Sequence, residues 1–145
     1  MRVNAGSKHT LATVFEDEEL IAKYIETNRA NLRRSLGVIA SGLAALEIPF
    51  VRPDGGLFVW MDLRGIVDGL PAARINETLI RRCKILMTPG TMAYGEDGFF
   101  RCCFACVPVA TLEEFLRRLR ALKTGNKKRG TLFDFISQHA HDAPA

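Results

Sequence analysis

The chain of 145 residues contains no apolar run approaching the roughly 20 residues needed to span a bilayer. Its opening stretch, MRVNAGSKHTLATVF, lacks the continuous apolar segment of a secretory signal. Together these absences predict an intracellular, cytoplasmic protein with no membrane partner. Net charge is also scarce. Of a formal +4, half comes from the segment Lys123 to Ala145, which carries four Lys or Arg against two Asp. The remainder is too little for a nucleic-acid surface on a folded part, and KKRG is only a short basic run. Four cysteines are too few for a disulfide scaffold. Cys103 and Cys106 have CxxC spacing, and Cys102 and Cys83 would complete a set of four. However, the pair lies in an apolar, strand-like run with no second CxxC or HxxxH, so no metal site is expected and the cysteines read as small packing residues. His139 and His141 read as solvated. Phosphate loops, the Rossmann glycine fingerprint, the nucleophile elbow, HExxH and internal repeats are all missing.

What is present is an ordinary globular composition, 48% hydrophobic and 25% charged, enough for one domain with a real core. A short amphipathic piece, Thr10 to Phe15, precedes an acidic cluster, Glu16 to Glu19, of the kind that favours a helix's first turn. From there Ile21, Ile25, Leu32, Leu36, Ile39, Leu43 and Leu46 recur at helical spacing, predicting one long helix from Asp17 to Leu46. That is more helix than a small domain needs for its own core, which suggests an element shared with something else. Pro53-Asp54-Gly55-Gly56 predicts a turn between strands Ile48 to Arg52 and Leu57 to Leu63, the latter apolar on both faces and so expected to be covered on each. A helix is expected over Ala73 to Lys84, with Ile75, Leu79, Ile80 and Cys83 inward. Strands Ile85 to Thr88 and Phe99 to Ala105 come next. A capping box of Thr111 and Glu114 is expected to open a last helix with Leu112, Phe115, Leu116, Leu119 and Leu122 facing the core. The chain from Lys123 on is expected to be a disordered or frayed tail.

The stretch from Met87 to Ala105, MTPGTMAYGEDGFFRCCFA, holds the anomaly. Its first half is rich in turn formers. Its second half is an aromatic and cysteine-rich run broken by one charge, Arg101. A guanidinium among Phe99, Phe100, Cys102, Cys103 and Phe104 either points to water or is partly buried, and then it needs an anion. That anion is an internal Asp or Glu or an external carboxylate, which the planar fork binds through two parallel hydrogen bonds.

Four blocks, in order DEELIAKYIETNRANLRR, GGLFVWMDLR, MTPGTMAYGEDGFFR, and RCCFA followed by TLEEFLRRLRAL, resemble the carboxy-terminal part of class I/II aminotransferases of the pyridoxal phosphate type I fold. The likeness is greatest to the 1-aminocyclopropane-1-carboxylate synthase branch. The resemblance covers about Ala5 to Leu122. It implies an α/β (α+β) small domain with a long amino-terminal helix and a short mixed sheet covered by helices. It divides the chain into a remnant, 1–16, leading to a large domain that is missing here, the aminotransferase-like part, 17–122, and a basic tail, 123–145. By the same resemblance Arg101 binds the substrate's α-carboxylate, pyridoxal 5'-phosphate is the cofactor of the complete enzyme, and a homodimer partner is implied. The loop from Tyr94 to Gly98 lacks the proline usual in these relatives. The cofactor lysine stands far upstream in the family, so Lys8 of Ser7-Lys8 is not taken as its equivalent. This chain alone is therefore expected to bind no cofactor and to be inactive. A non-catalytic module binding amino acids or a protein is the alternative, and the sequence does not separate transamination from the synthase's elimination.

Overall fold

The structure is a computed structural model that describes residues 5–127. By its internal contacts the chain divides into two compact units, Met1–Arg34 and Ser35–Ala145. The first unit holds α1 (Ala5–Glu16) and the opening turns of α2 (Glu18–Ala45). Asp17 separates the two helices, and its carboxylate accepts the Leu20 N–H at 2.9 Å, capping α2. Glu18 and Glu19 occupy the first turn, where the helix dipole favours acids. Between Ala12 and Arg34 no side chain is buried, whereas Ser35, Ile39, Ala40 and Leu43 further along α2 are. The long helix matches expectation within a residue at each end. The piece expected over Thr10 to Phe15 is the second half of α1.

The second unit carries a four-stranded sheet of β1 (Phe50–Val51), β2 (Phe58–Asp62), β3 (Thr88–Pro89) and β4 (Phe99–Cys103), in the order β1-β2-β4-β3. Every pairing is antiparallel, so the expected mixed sheet is corrected while the α+β class holds. Strand periodicity states which residues share a face but not the direction of the neighbour. Val59, Met61, Leu63, Phe100 and Phe104 are buried and share the core with Ile39, Leu43, Ile75, Leu79, Leu112 and Leu119. The opposite face is not covered in the way expected for β2. Phe58 is 43% exposed and Trp60 half-buried. The aromatic rings on this face stack instead on each other and under cations.

The helix α3 (Ala72–Thr78) continues into a single widened turn, Leu79–Cys83, in which the N–H groups of Lys84 and Ile85 both reach the Leu79 carbonyl. Lys84 ends it in the left-handed region at φ 54°. The extra residue in the turn rotates the neighbouring positions, and Ile80, expected inward, is 41% exposed. Residues 85–87 are not strand, and β3 is confined to Thr88–Pro89. The last helix, α4 (Val109–Lys127), starts earlier than its expected cap. The Thr111 N–H already donates to the Pro108 carbonyl at 2.9 Å, and the Glu114 carboxylate is held by Arg117 and Arg118 at 2.6–2.7 Å, so no capping box forms. Pro108 sets the backbone for the first turn before Thr111 is reached. Leu112, Leu119 and Leu122 are buried and Phe115 and Leu116 half-buried. Helical structure persists through Lys127, and Lys123 donates from Nζ to the Leu46 carbonyl, so the start of the expected tail is ordered helix. The rest of KKRG, residues 128–130, together with His139 and His141, lies outside the described residues.

Candidate functional site

Alternation along β4 puts Phe99, Arg101 and Cys103 on one face and the buried Phe100 and Cys102 on the other. Arg101 stands opposite Trp60 of β2 on one side and Thr88 of β3 on the other, in the middle of the sheet's half-open face. Its guanidinium carbon lies 4.6 Å from the centre of the Phe58 ring, a cation–π contact that shields one side of the fork. Its Nε is buried and has no hydrogen-bond partner among the described residues. Among the described residues no carboxylate pairs with it. An N–H in that condition costs free energy until an acceptor arrives.

The acid that β2 contributes to this face is already committed. Asp62, two residues along β2 from Trp60, accepts from Arg64 Nε at 3.0 and 3.1 Å and from its terminal nitrogen at 2.8 Å, while its Oδ1 also takes the Arg64 N–H at 2.9 Å. These bonds from Arg64 hold the Asp62 carboxyl below its ordinary range, against the upward push of burial. Arg64 also reaches Glu96 at 3.3 Å and lies 4.4 Å over the Phe99 ring, which in turn stacks on Trp60 with centres 6.0 Å apart. One guanidinium is thus saturated with acid and the other left with none.

A cleft of about 660 Å³ opens beside β4, lined by Asn76, Leu86, Met87, Thr88, Met92 and the first turns of α4, with Arg101 as its only charged side chain among the described residues. Beyond Arg101 strand β3 has ended, so Cys102 and Cys103 are unpaired on that edge and contribute to the cleft wall. Cys102 is buried and Cys83 and Cys103 are half-buried, whereas Cys106 is exposed and departs from the reading of the four as packing residues. Among the described residues no three His, Cys, Asp or Glu converge as a metal site.

The family model described as "Aminotransferase class I and II" matches residues 3–119. The chain belongs to the class I and II aminotransferase family. Among the curated relatives, 1-aminocyclopropane-1-carboxylate synthase 4 of Oryza sativa subsp. japonica is 38% identical over 126 residues, covering 81% of this chain and 25% of that protein. Among solved structures, aromatic aminotransferase from Pyrococcus horikoshii superposes with a TM-score of 0.68 at 24% identity, over 80% of this chain and 30% of that one, a likeness of fold. Aspartate aminotransferase from Thermus thermophilus, solved with maleate, gives 0.66 at 27% identity over 75% and 27%. This aminotransferase-family chain spans about a quarter of the length of the curated relatives it matches.

Within the aminotransferase-family chain, the one site residue named from sequence, Arg101, lies in a cleft and carries no internal acid among the described residues. Lys8 is on α1, its side chain outside those described. Sequence reasoning missed the Asp62–Arg64 pair, although Asp-x-Arg at the end of a strand places both side chains on one side of the chain. It also missed Phe58 as the cation's platform, because a cross-strand diagonal depends on register.

Proposed function

We propose that this chain is the substrate-carboxylate-anchoring part of a pyridoxal phosphate-dependent enzyme acting on amino acids, with Arg101 as the anchor. The observation that carries the reading is the buried Arg101 Nε without an acceptor, in a cleft where it is the only charge among the described residues. The family supplies the class of reaction. Aspartate aminotransferase from Thermus thermophilus, a structural relative, was solved with maleate, itself a carboxylate. Phe58 packs on one side of the intrinsically planar fork and Asp62 is committed to Arg64, so that an incoming carboxylate meets two parallel donors not taken by an internal acid among the described residues. A substrate held at that end is fixed in orientation, which is the service a docking cation gives to proton removal at the neighbouring carbon.

The cleft's own described residues do not fit pyridoxal phosphate. No lysine among them lines it to bond the cofactor's aldehyde, no acid faces a pyridine nitrogen, and one cation is left to serve both a phosphate and a substrate. The cleft therefore supplies no chemical step through that group.

The test is a titration of the full chain followed by the NMR signal of the Arg101 Nε–H. Acetate and maleate are expected to shift it saturably and methylammonium to leave it still. In Arg101→Gln, which has no such signal, binding is read at the backbone N–H of Thr88 and Cys103, whose shifts with acetate and maleate in the parent chain are expected to disappear. A carboxylate response that survives Arg101→Gln, or an Arg101 signal unmoved by either acid, overturns the reading. With pyridoxal phosphate and amino acids added, the chain is expected to form no 2-oxo acid.

A further inference from the structure

The cleft that holds Arg101 is uneven in its chemistry. Among its lining residues Met87 and Leu112 are buried, and Val107 and Phe115 half-buried. Leu86 and Met92 stand at its rim, 83% and 77% exposed. Single apolar side chains on a surface are commonplace, but two of this size sharing one concave wall with Val107 and Phe115 make a continuous apolar lining open to water. Apart from the cysteines, the polar side chains there besides Arg101 are Asn76, Thr88 and Thr111, all neutral. A carboxylate docked on Arg101 therefore finds apolar wall for the rest of its molecule and no partner for a second charge, because an amide and two hydroxyls do not offset the desolvation of an ion. The volume of about 660 Å³ lies in the range of sites that take small molecules.

We propose that this cleft selects carboxylates that carry an uncharged apolar tail, aliphatic or aryl, over short acids and over dicarboxylates. The carboxylate sits on Arg101, and the tail lies along Phe115 and Val107 toward Leu86 and Met92. The inference rests on the reading of Arg101 as the carboxylate anchor and adds what the cleft asks of the other end of the molecule. Each carbon of the tail removes apolar surface of its own and of the rim from water, which favours binding without any further polar contact. A second carboxylate at the tail's end reverses that gain. It must give up its hydration to neutral groups or turn back into solvent and leave the wall bare.

The experiment titrates the full chain calorimetrically, at one pH and ionic strength, with acetate, hexanoate and adipate, the last being hexanoate with a second carboxylate at its far end. Hexanoate is expected to bind on the order of tenfold tighter than acetate, which half-burial of the added carbons provides, and adipate no tighter than acetate beyond the statistical gain of its two equal ends. Replacing the rim by Leu86→Ser with Met92→Ser should weaken hexanoate about threefold and leave acetate as it was. Both side chains are exposed, so the core does not depend on them. If that variant nevertheless fails to fold, the comparison of hexanoate with adipate in the parent chain decides the matter. Hexanoate no tighter than acetate, or adipate as tight as hexanoate, overturns the inference and leaves the anchor standing. Hexanoate binding undiminished in Arg101→Gln overturns it as well, since the wall would then act without the cation. If none of the three acids binds, the anchor itself falls and the inference with it.

Discussion

Arg101 and Arg64 are two guanidiniums resting on aromatic rings of one sheet face, at 4.6 and 4.4 Å, and they differ in what else they hold. Arg64 has Asp62 and Glu96. Arg101 has neither, because Asp62 spends its oxygens on its neighbour two residues on. A lysine at position 101 keeps the charge but loses the fork. Arg101→Lys is therefore expected to weaken acetate or maleate binding about tenfold, roughly the loss of one charge-assisted hydrogen bond, with the melting temperature little changed. Isothermal titration checks it, and equal affinity would mean that a point charge is enough. At this scale the sequence singled out Arg101 because a charge in an apolar strand is visible as a break in pattern. It could not show that the acid option was closed, since that depends on Asp62 turning toward Arg64. The exposure of Cys106 was not legible for a similar reason. The CxxC spacing is plain, but Cys106 is exposed only because the strand stops at Cys103.

Two elements of the second unit meet at Gly42 of α2 and Leu116 of α4. A Cβ at Gly42 would come within 2.2 Å of Leu116 Cδ1 and 2.8 Å of its Cγ. Gly42→Val is expected to destabilise the chain by about 1–3 kcal/mol in chemical denaturation, and Leu116→Ala in the same chain to recover part of that loss. A neutral Gly42→Val would mean that the two helices have room to part. At the other wall, Lys84 sits at φ 54° at the end of the widened turn. Glycine occupies that region without the side-chain clash, so Lys84→Gly is expected to gain about 0.5–1 kcal/mol, read as a higher denaturation midpoint. The long helix and the alternation of β2 and β4 were legible, since each is a repeat of apolar residues. The widened turn was not, because a single bond pattern shifted by one residue leaves no mark on composition and only moves Ile80 outward. The helix start also escaped. Thr111 and Glu114 have the spacing of a cap, but Pro108 precedes them and two arginines claim the glutamate.

The stability of the chain is made sensitive to acid by the same kind of pairing. Bonds from Arg117, then from Arg118, hold the Glu114 carboxyl down from 4.5 to about 2, and Arg64 lowers Asp62. A carboxylate whose affinity for protons is lower folded than unfolded contributes stability that is fully present above pH 4.5 and fades as pH falls toward 2. Denaturation midpoints followed across that window should decline in the parent chain. In Glu114→Gln they should start lower and decline less, the two curves approaching one another near pH 2; parallel curves would remove Glu114 from the account. The order of events in folding is set by the sheet's connectivity. β2 and β4 supply its central pairing, Phe58 against Cys103 through Asp62 against Phe99, yet α3, the widened turn and β3 all lie between them in the chain. β1 and β2 can find one another early across a short turn. The middle of the sheet must wait for a long loop to close, which is the slow step in such topologies. The row Trp60–Arg101–Thr88 does not exist until that closure, so Arg101 acquires its surroundings among the last events of folding, and a chain released before then would carry it as an ordinary solvated cation.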